Sequence, residues 1–460
     1  MNKISILFLM LMLISTSAVA KQSSFVGDSL SVTGQTSRSS DVSAPVMPDS
    51  YDIEVDGLYY KITSISDREV ELVGGEGVYS GSIEIPSELE YRGKILKVTS
   101  IGDMAFYNSD VTNVTIGGNV KKIGQYAFSK SAISKIVIPP SVITLEQYSF
   151  DGCSQLVDVN FEDGTDVLKF KSSSNWTVKY FSGCPIRKLY IGRTIDHDAS
   201  YSAFDDLSNT LEIEIGPYVT ALNYYLLAGA SKISSLKIPA SVTYLGEGTF
   251  DRCTGLKSVI FEDGTNTLLY NTSGGYGSAV FEDSPLNYVY IGRNFRNKYS
   301  SGGSVFNDTP ITKIDISCVV TELVELYMLD QLQEINIPAS VTKILGSGFY
   351  GCDNLSQIVC NSTTPPAFES NEGFSNSVFA NATLYVPAGC VKAYESAKVW
   401  GNFFDIQEIS LSGINEVSNV GKENHADVFY DANGVRHKNL IKGLNITKTK
   451  NGIVKKIYVR

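Results

Sequence analysis

The apolar positions of this chain recur in one short motif, apolar–x–apolar, usually followed by a turn: Ile136-Val137-Ile138-Pro139, Leu236-Lys237-Ile238-Pro239 and Ile335-Asn336-Ile337-Pro338. With the second apolar residue as anchor, thirteen copies fall at 85, 116, 138, 161, 191, 215, 238, 261, 291, 316, 337, 360 and 386. Most intervals are 21 to 26 residues, and three are 30 or 31. Alternation puts the two apolar residues on one face of a strand and the residue between them on the other. So short a motif at that period predicts a solenoid. Each coil supplies one short parallel strand and buries its apolar face only against its neighbours.

The rest of each coil follows the same logic. A segment Ser-Val-x-x-Ile/Leu is expected to bury Val142 and Leu145, or Val242 and Leu245, and an aromatic residue (Phe106, Phe128, Phe150, Phe250, Phe349) to fill the far side of the core. A longer period overlies the short one. Phe161-Glu162-Asp163-Gly164-Thr165 returns as Phe261-Glu262-Asp263-Gly264-Thr265, and Tyr190-Ile191-Gly192-Arg193 returns as Tyr290-Ile291-Gly292-Arg293. A block of four coils is duplicated. The fold class is therefore a β-rich leucine-rich-repeat solenoid of about 12–13 coils with one short parallel strand per coil, roughly 60 Å long at ~4.8 Å per step. An N-terminal β cap and a small C-terminal β module complete it.

The flanks read differently. Residues 1–20 have the pattern of a secretory signal peptide: Lys3, an apolar run from Ile4 to Ile14, and the small-x-small site Ala18-Val19-Ala20. Residues 21–50 hold nine serines and two prolines and predict a flexible spacer. Residues 51–84 alternate around Asp56-Gly57, a hairpin signal suited to a cap over the first coil. The solenoid with its C-terminal cap is assigned to 85–411, with a short helix expected from Val391 to Val399. Residues 412–426 are polar, a linker, and 427–460 alternate again around Asn433-Gly434, Gly443 and Asn451-Gly452. No stretch after the leader is long and apolar enough to predict a transmembrane segment in the mature chain.

Net charge is −11, with residues 412–460 carrying nine basic and four acidic side chains. So acidic a body disfavours nucleic acid and anionic membrane as partners. Of three histidines, His197, His425 and His437, two lie in the tail, which leaves little material for histidine chemistry or zinc in the repeats. Cys153, Cys253 and Cys352 stand four coils or more apart, roughly 20 Å, too far to bridge one another. Cys184 occupies the matching slot one coil after Cys153, so a bridge between these two is conceivable. The equivalent slot one hundred residues later is Ser284, which favours small buried residues in turns instead.

Candidate chemistry is sparse. Glu162-Asp163 and Glu262-Asp263 precede Gly-Thr in both blocks, so a turn role accounts for them better than glycosidase carboxylates. No nucleophile elbow, phosphate loop or calcium loop is present, and no cofactor is expected. The outward residues of the strands are the better candidates for a binding surface. Tyr190, Tyr288 and Tyr290, with Lys188 beside Tyr190, form the expected ligand-binding face, and Trp176 and Tyr276 in the two long coils are placed at its edge. Tyrosine supplies rigid amphipathic contact area, although strand propensity alone also favours it there.

Several motifs in order resemble BspA-type leucine-rich repeats: Val98-Thr99-Ser100-Ile101-Gly102-Asp103-Met104-Ala105-Phe106, Ile138-Pro139-Pro140-Ser141-Val142, Gly152-Cys153, Ile337-Pro338-Ala339-Ser340-Val341, and Thr364-Pro365-Pro366-Ala367-Phe368 leading to Leu384-Tyr385-Val386-Pro387-Ala388-Gly389 and Ala393-Tyr394. The resemblance spans 51–411. It implies a surface or secreted protein of the Bacteroides group, in a family associated with adhesion to host matrix proteins, to other bacteria or to epithelial cells. The expected partner is a host extracellular-matrix or cell-surface protein, bound through adhesion, and no enzymatic activity is expected. Polysaccharide capture is the alternative. The coils at 161–191 and 261–291 exceed the family's ~23-residue unit. The tail, with Phe429-Tyr430-Asp431-Ala432-Asn433-Gly434-Val435-Arg436, Lys442-Gly443-Leu444 and Lys455-Lys456-Ile457-Tyr458-Val459-Arg460, resembles a type IX secretion sorting domain, with Asn445 where that pattern prefers an aromatic.

Overall fold

The computed structural model describes residues 50–172, 179–197, 202–204, 206–272, 279–299, 303–307 and 309–409, together with the backbone of four strands between 429 and 459. The leader, nearly all of the spacer, and the linker assigned to 412–426 lie outside the described residues.

Each anchor sits on a strand of a parallel β-solenoid. Ser80–Ile85 pairs with Asp110–Ile116. Lys135–Ile138, Asp158–Phe161, Lys188–Ile191 and Glu212–Ile215 form the next run. Ser235–Ile238, Ser258–Phe261, Tyr288–Ile291 and Lys313–Ile316 follow. Glu334–Ile337, Gln357–Cys360, Thr383–Val386 and Asp405–Glu408 complete the row. Twelve of the thirteen anchors are buried, and Ile316 is partly so. The last strand, Asp405–Glu408, is an addition to the expected row. Glu408, paired with Val386, stands where an apolar anchor would be, and it is exposed.

A second row of shorter parallel strands adds to the one strand expected per coil. Lys122–Ile123, Thr144–Glu146, Leu168–Lys171 and Ile195–His197 pair in sequence, as do Ala221–Leu222, Tyr244–Leu245, Leu268–Tyr270 and Phe295–Asn297. Glu322–Leu323, Lys343–Ile344 and Ala367–Phe368 follow. Leu145 and Leu245 are the buried members of their strands. At the N-terminus, Ile53–Val55 and Leu58–Ser64 are antiparallel around Asp56 and Gly57, both at positive φ. Glu69–Val73 then joins them to Lys94–Ile101, which leads into the second row. The hairpin Glu88–Tyr91 with Lys94–Ile101 accounts for the first 31-residue interval.

The core is one continuous cluster. Phe106, Phe128, Phe150 and Phe181 stack along it at 4.9, 5.0 and 4.9 Å between successive ring centroids, the last two pairs within 2° of parallel. Phe250 and Phe281 repeat this at 5.0 Å, and Phe349 and Phe374 at 4.9 Å. The backbone bonds Leu227 N–H to Thr249 O and Leu326 N–H to Gly348 O match that of Phe128 N–H to Ser149 O, so leucine fills the same slot in two coils.

The cysteines are free thiols. Each of four donates to the carbonyl of the slot residue one coil back: Cys153 to Phe128 at 2.9 Å, Cys184 to Phe150 at 3.0 Å, Cys253 to Leu227 at 3.3 Å and Cys352 to Leu326 at 2.9 Å. Ser284 makes the same bond to Phe250 at 2.7 Å. The slot selects a small side chain with one proton to donate, which is why serine and cysteine exchange there. Burial pushes the Cys253 and Cys352 thiols up to about 12, away from reactivity.

The solenoid ends in two short helices, Asn376–Asn381 and Val391–Glu395, and a 3-10 turn at Trp400–Asn402. The expected helix thus stops four residues early. Trp400, 1% exposed, donates its indole N–H to Pro366 O at 2.8 Å and packs on Phe368, Phe374 and Tyr394. Further on, Phe429–Asp431, Arg436–His437, Gly443–Lys448 and Val454–Val459 form an antiparallel sheet of their own.

Candidate ligand-binding face

The in-register pairing of the primary strands aligns their outward residues into columns. One column of the 135–215 run reads Lys135, Asp158, Lys188, Glu212, and the next reads Val137, Asn160, Tyr190, Glu214. In the 235–316 run the columns are Ser235, Ser258, Tyr288, Lys313 and Lys237, Ile260, Tyr290, Asp315. Tyr190, Tyr288 and Tyr290 are half-buried and Lys188 is exposed, alternating with the buried Leu189, Ile191, Val289 and Ile291.

The tyrosine hydroxyls are held. Tyr190 Oη donates to Asp163 Oδ1 at 2.6 Å, and Tyr290 Oη donates to Asp263 Oδ1 at 2.7 Å. Tyr288 Oη donates to Asp315 Oδ2 at 3.0 Å. The Lys313 ammonium lies 5.4 Å from the Tyr288 ring centroid and 3.3 Å from Asp315. Lys188 pairs with Glu212 at 3.2 Å. The carboxylate of Asp163, accepting its proton, pushes the Tyr190 phenol up to about 12. Desolvation, then the Asp315 bond, raises Tyr288 to about 12 as well, and desolvation leads the rise at Tyr290. These rings are fixed in place before any ligand arrives, which removes an ordering cost from binding.

Glycine makes the Tyr190 contact possible. A Cβ on Gly216 would lie 2.7 Å from both Asp163 Oδ1 and Tyr190 Oη, and one on Gly192 would meet Asp163 N at 2.5 Å. In the second block, Ser317 takes the place of Gly216 and adds its hydroxyl to Tyr290. Asp163, Asp263 and Asp315 are thus part of this face although sequence reasoning assigned the first two to turns. The signal was the joint recurrence of Phe-Glu-Asp-Gly-Thr and Tyr-Ile-Gly-Arg. Glu262 pairs with Lys237 and accepts from Ala240 N at 3.0 Å, and the lysine bond holds its carboxyl below the usual range.

The two arginines of the recurring motif point inward. Arg193, 0% exposed, donates to Pro140 O and Pro139 O, both at 2.9 Å. Arg293 does the same to Ala240 O at 2.7 Å and Pro239 O at 3.0 Å. Each reaches the turn two coils back. Burial pushes both guanidiniums down to about 10, which leaves them charged at neutral pH.

Lys188 and Tyr190 share one strand, and Tyr288 and Tyr290 share another. Four strand steps separate the two pairs, about 19 Å. They are two sub-patches and meet only through a ligand long enough to span both. Trp176 and Tyr276 lie outside the described residues. Among the described residues no His/Cys/Asp/Glu group is arranged to hold a metal ion, and no helix is long and apolar enough to cross a membrane.

A BspA type leucine rich repeat region matches in six copies, over residues 82–197, 174–297 and 276–385. The chain belongs to the BspA-type leucine-rich repeat family. The matched BspA-type region takes in every tyrosine of the face and both buried arginines. Solved structures similar to this BspA-type chain include a leucine-rich repeat protein from Bacteroides ovatus, 21% identical, covering 78% of this chain and all of that one with a TM-score of 0.34. Another is a leucine rich cell surface protein from Faecalibacterium prausnitzii, 18% identical, covering 80% and 98% with a TM-score of 0.33. A third is the pneumococcal vaccine antigen PcpA, 14% identical, covering 78% and 98% with a TM-score of 0.26. Comparison with curated proteins gives no match.

Proposed function

We propose that this BspA-type protein is exported to the cell surface and binds macromolecular partners, as an adhesin for host extracellular-matrix proteins or for other cells. The observation that carries the reading is the row of outward side chains on an open parallel sheet, with Tyr190, Tyr288 and Tyr290 locked by carboxylates and their rings still half-exposed. Such a surface suits extended, multivalent contact and needs neither cofactor nor catalytic group. The leader-like residues 1–20 and the tail are its means of export, the tail acting as a type IX-like sorting module. Removing residues 427–460 is then expected to leave the protein inside the envelope, and normal surface display of the truncated chain would sink the sorting role.

The binding test is an array of immobilised matrix proteins and polysaccharides probed with the full chain. Saturable binding to a protein such as fibronectin or fibrinogen, lost when Tyr190, Tyr288 and Tyr290 are all replaced by alanine, is the expected result. A triple variant that binds as the parent does refutes the tyrosine face. Selective binding to a polysaccharide moves the assignment to glycan capture, a reading favoured by the flat half-exposed rings.

A further inference from the structure

The two rows of strands start out of step at the N-terminal end. In the second row, Ile53–Val55, Leu58–Ser64 and Glu69–Val73 all precede Lys94–Ile101 in one continuous sheet. The primary row begins with Ser80–Ile85, which pairs with Asp110–Ile116 alone. Among the described residues no strand or loop backbone pairs with its other edge. The side chains register the difference. Ile83 is half-buried, while its in-register partner Val114 and the counterparts Ile136, Val159 and Leu189 in the following coils are buried. An inner coil has a neighbour on each side to cover it, and this one has a strand on one side only.

A groove of about 790 Å³ opens beside this edge. It is lined by Ser82, Ile83 and Glu84 of the strand and by Val55, Asp56 and Leu58 of the N-terminal hairpin. Leu89, buried, adds to its apolar lining. The charged lining is one-sided: Asp56, Glu84, Glu88 and Glu90 stand against Arg92, and all five are exposed. Arg92 is drawn over the ring of Tyr91, 5.2 Å from its centroid. The groove is therefore acidic at its rim and apolar within.

The edge itself is regular where it meets the groove. A bulge between Gly81 and Ser82 bends the start of the strand, a common way to blunt an exposed edge. Beyond it Ser82–Ile85 run in unbroken register with Asn113–Ile116. An open, regular edge with apolar surface alongside is the geometry of strand addition, in which main-chain bonds give affinity and alternate side chains give specificity. End-to-end stacking of a second copy fits poorly. The opposite end of the primary row is Asp405–Glu408, which carries two carboxylates and no basic residue, so stacking would set like charges together.

We propose that the free edge of Ser80–Ile85 takes an extended segment of a partner protein as an added strand, one that is apolar at alternate positions and basic between them. Alternation turns the apolar residues of the guest inward over Ile83, Val55 and Leu89 and sets the residues between them beside Ser82 and Glu84. A lysine or arginine there meets Glu84 across the strands, and flanking ones meet Asp56, Glu88 and Glu90. The site is separate from the tyrosine face and stands independently of it.

The test is fluorescence anisotropy of the full chain with a labelled peptide, Thr-Val-Lys-Val-Lys-Val-Thr. One control replaces its lysines by glutamate, and another keeps the composition but runs the valines together. Two further versions carry N-methyl groups on alternate sets of amides, because one set faces the paired strand and the other faces away. The alternating basic peptide is expected to bind saturably. Glu84→Lys weakens it about tenfold or more, since like charges set opposite each other repel. Glu334→Lys, the same charge change on an inner coil, leaves it unchanged. One N-methylated version binds and the other does not. Glu84 and Glu334 are both exposed, and an unchanged thermal melt verifies that each variant is folded. The proposal is overturned if the peptide does not bind, if either control peptide binds equally well, if the two N-methylated versions behave alike, or if the two charge variants have the same effect. Self-association of the full chain that Glu84→Lys removes assigns the edge to a second copy and overturns it too.

Discussion

Replacing Phe150 measures what the aromatic stack contributes. Phe150 is fully buried between Phe128 and Phe181, at 5.0 and 4.9 Å. Truncation to alanine removes that side chain from a space whose walls are held by backbone bonds to both adjoining coils, so the cavity has little scope to close. Phe→Ala in a core costs about 3–5 kcal/mol, and the rigid setting argues for the upper half of that range. Leucine fills the same slot at 227 and 326. Phe150→Leu therefore keeps most of the volume and forfeits two ring pairs worth about 0.5–1.5 kcal/mol each, a loss of about 1–3 kcal/mol. Urea denaturation followed by far-UV circular dichroism gives the two values, and hydrogen exchange across residues 116–191 localises them. An alanine variant within about 1 kcal/mol of the parent would show that the coils repack freely. A leucine variant as unstable as alanine would show that ring stacking, not filled volume, governs the slot.

Arg193→Met removes two charged hydrogen bonds of about 1.5–3 kcal/mol each and relieves the burial of a charge, so a net loss of about 2–4 kcal/mol is expected. Arg293→Met should match it within about 1 kcal/mol in the same denaturation assay, and a stabilised variant contradicts the clamp. Thiol titration of the unreduced, denatured protein should count seven free cysteines, with Cys318 and Cys390 alone reacting quickly in the native state; a count of five would reveal a bridge. The Tyr190 phenol, raised in the folded chain, contributes stability that is present below its ordinary value near 10 and lost as pH rises through about 12. Asp163→Asn should return its titration toward 10, read as the phenolate difference spectrum against Tyr190→Phe; an unmoved midpoint rules out the carboxylate as the cause.

The solenoid was legible because its anchors obey a strict alternation, and because Phe106, Phe128, Phe150, Phe250 and Phe349 recur at a fixed place in the coil. The second row of strands was not, since each strand is two to four residues long and contributes only one or two to the core, too few for a period to register. Asp405–Glu408 escaped for the opposite reason: none of its residues is fully buried and Glu408 is exposed, so no apolar–x–apolar motif marks it. On the face, alternation placed Tyr190, Tyr288 and Tyr290 outward. Their carboxylate partners stay hidden in a linear reading, because Asp163 and Asp263 come from the preceding coil and Asp315 from the following one. The inward turn of Arg193 was equally hidden, since its acceptors are bare carbonyls, to which every residue type is blind.

Those two arginines change how the array comes apart. A stack held only by contacts between adjacent coils frays one coil at a time from its ends. Arg193 skips a neighbour to grip the turn at Pro139 and Pro140, and Arg293 does so at Pro239 and Ala240. Each ties three successive coils into a single mechanical unit, so a pulling force must break the triplet together.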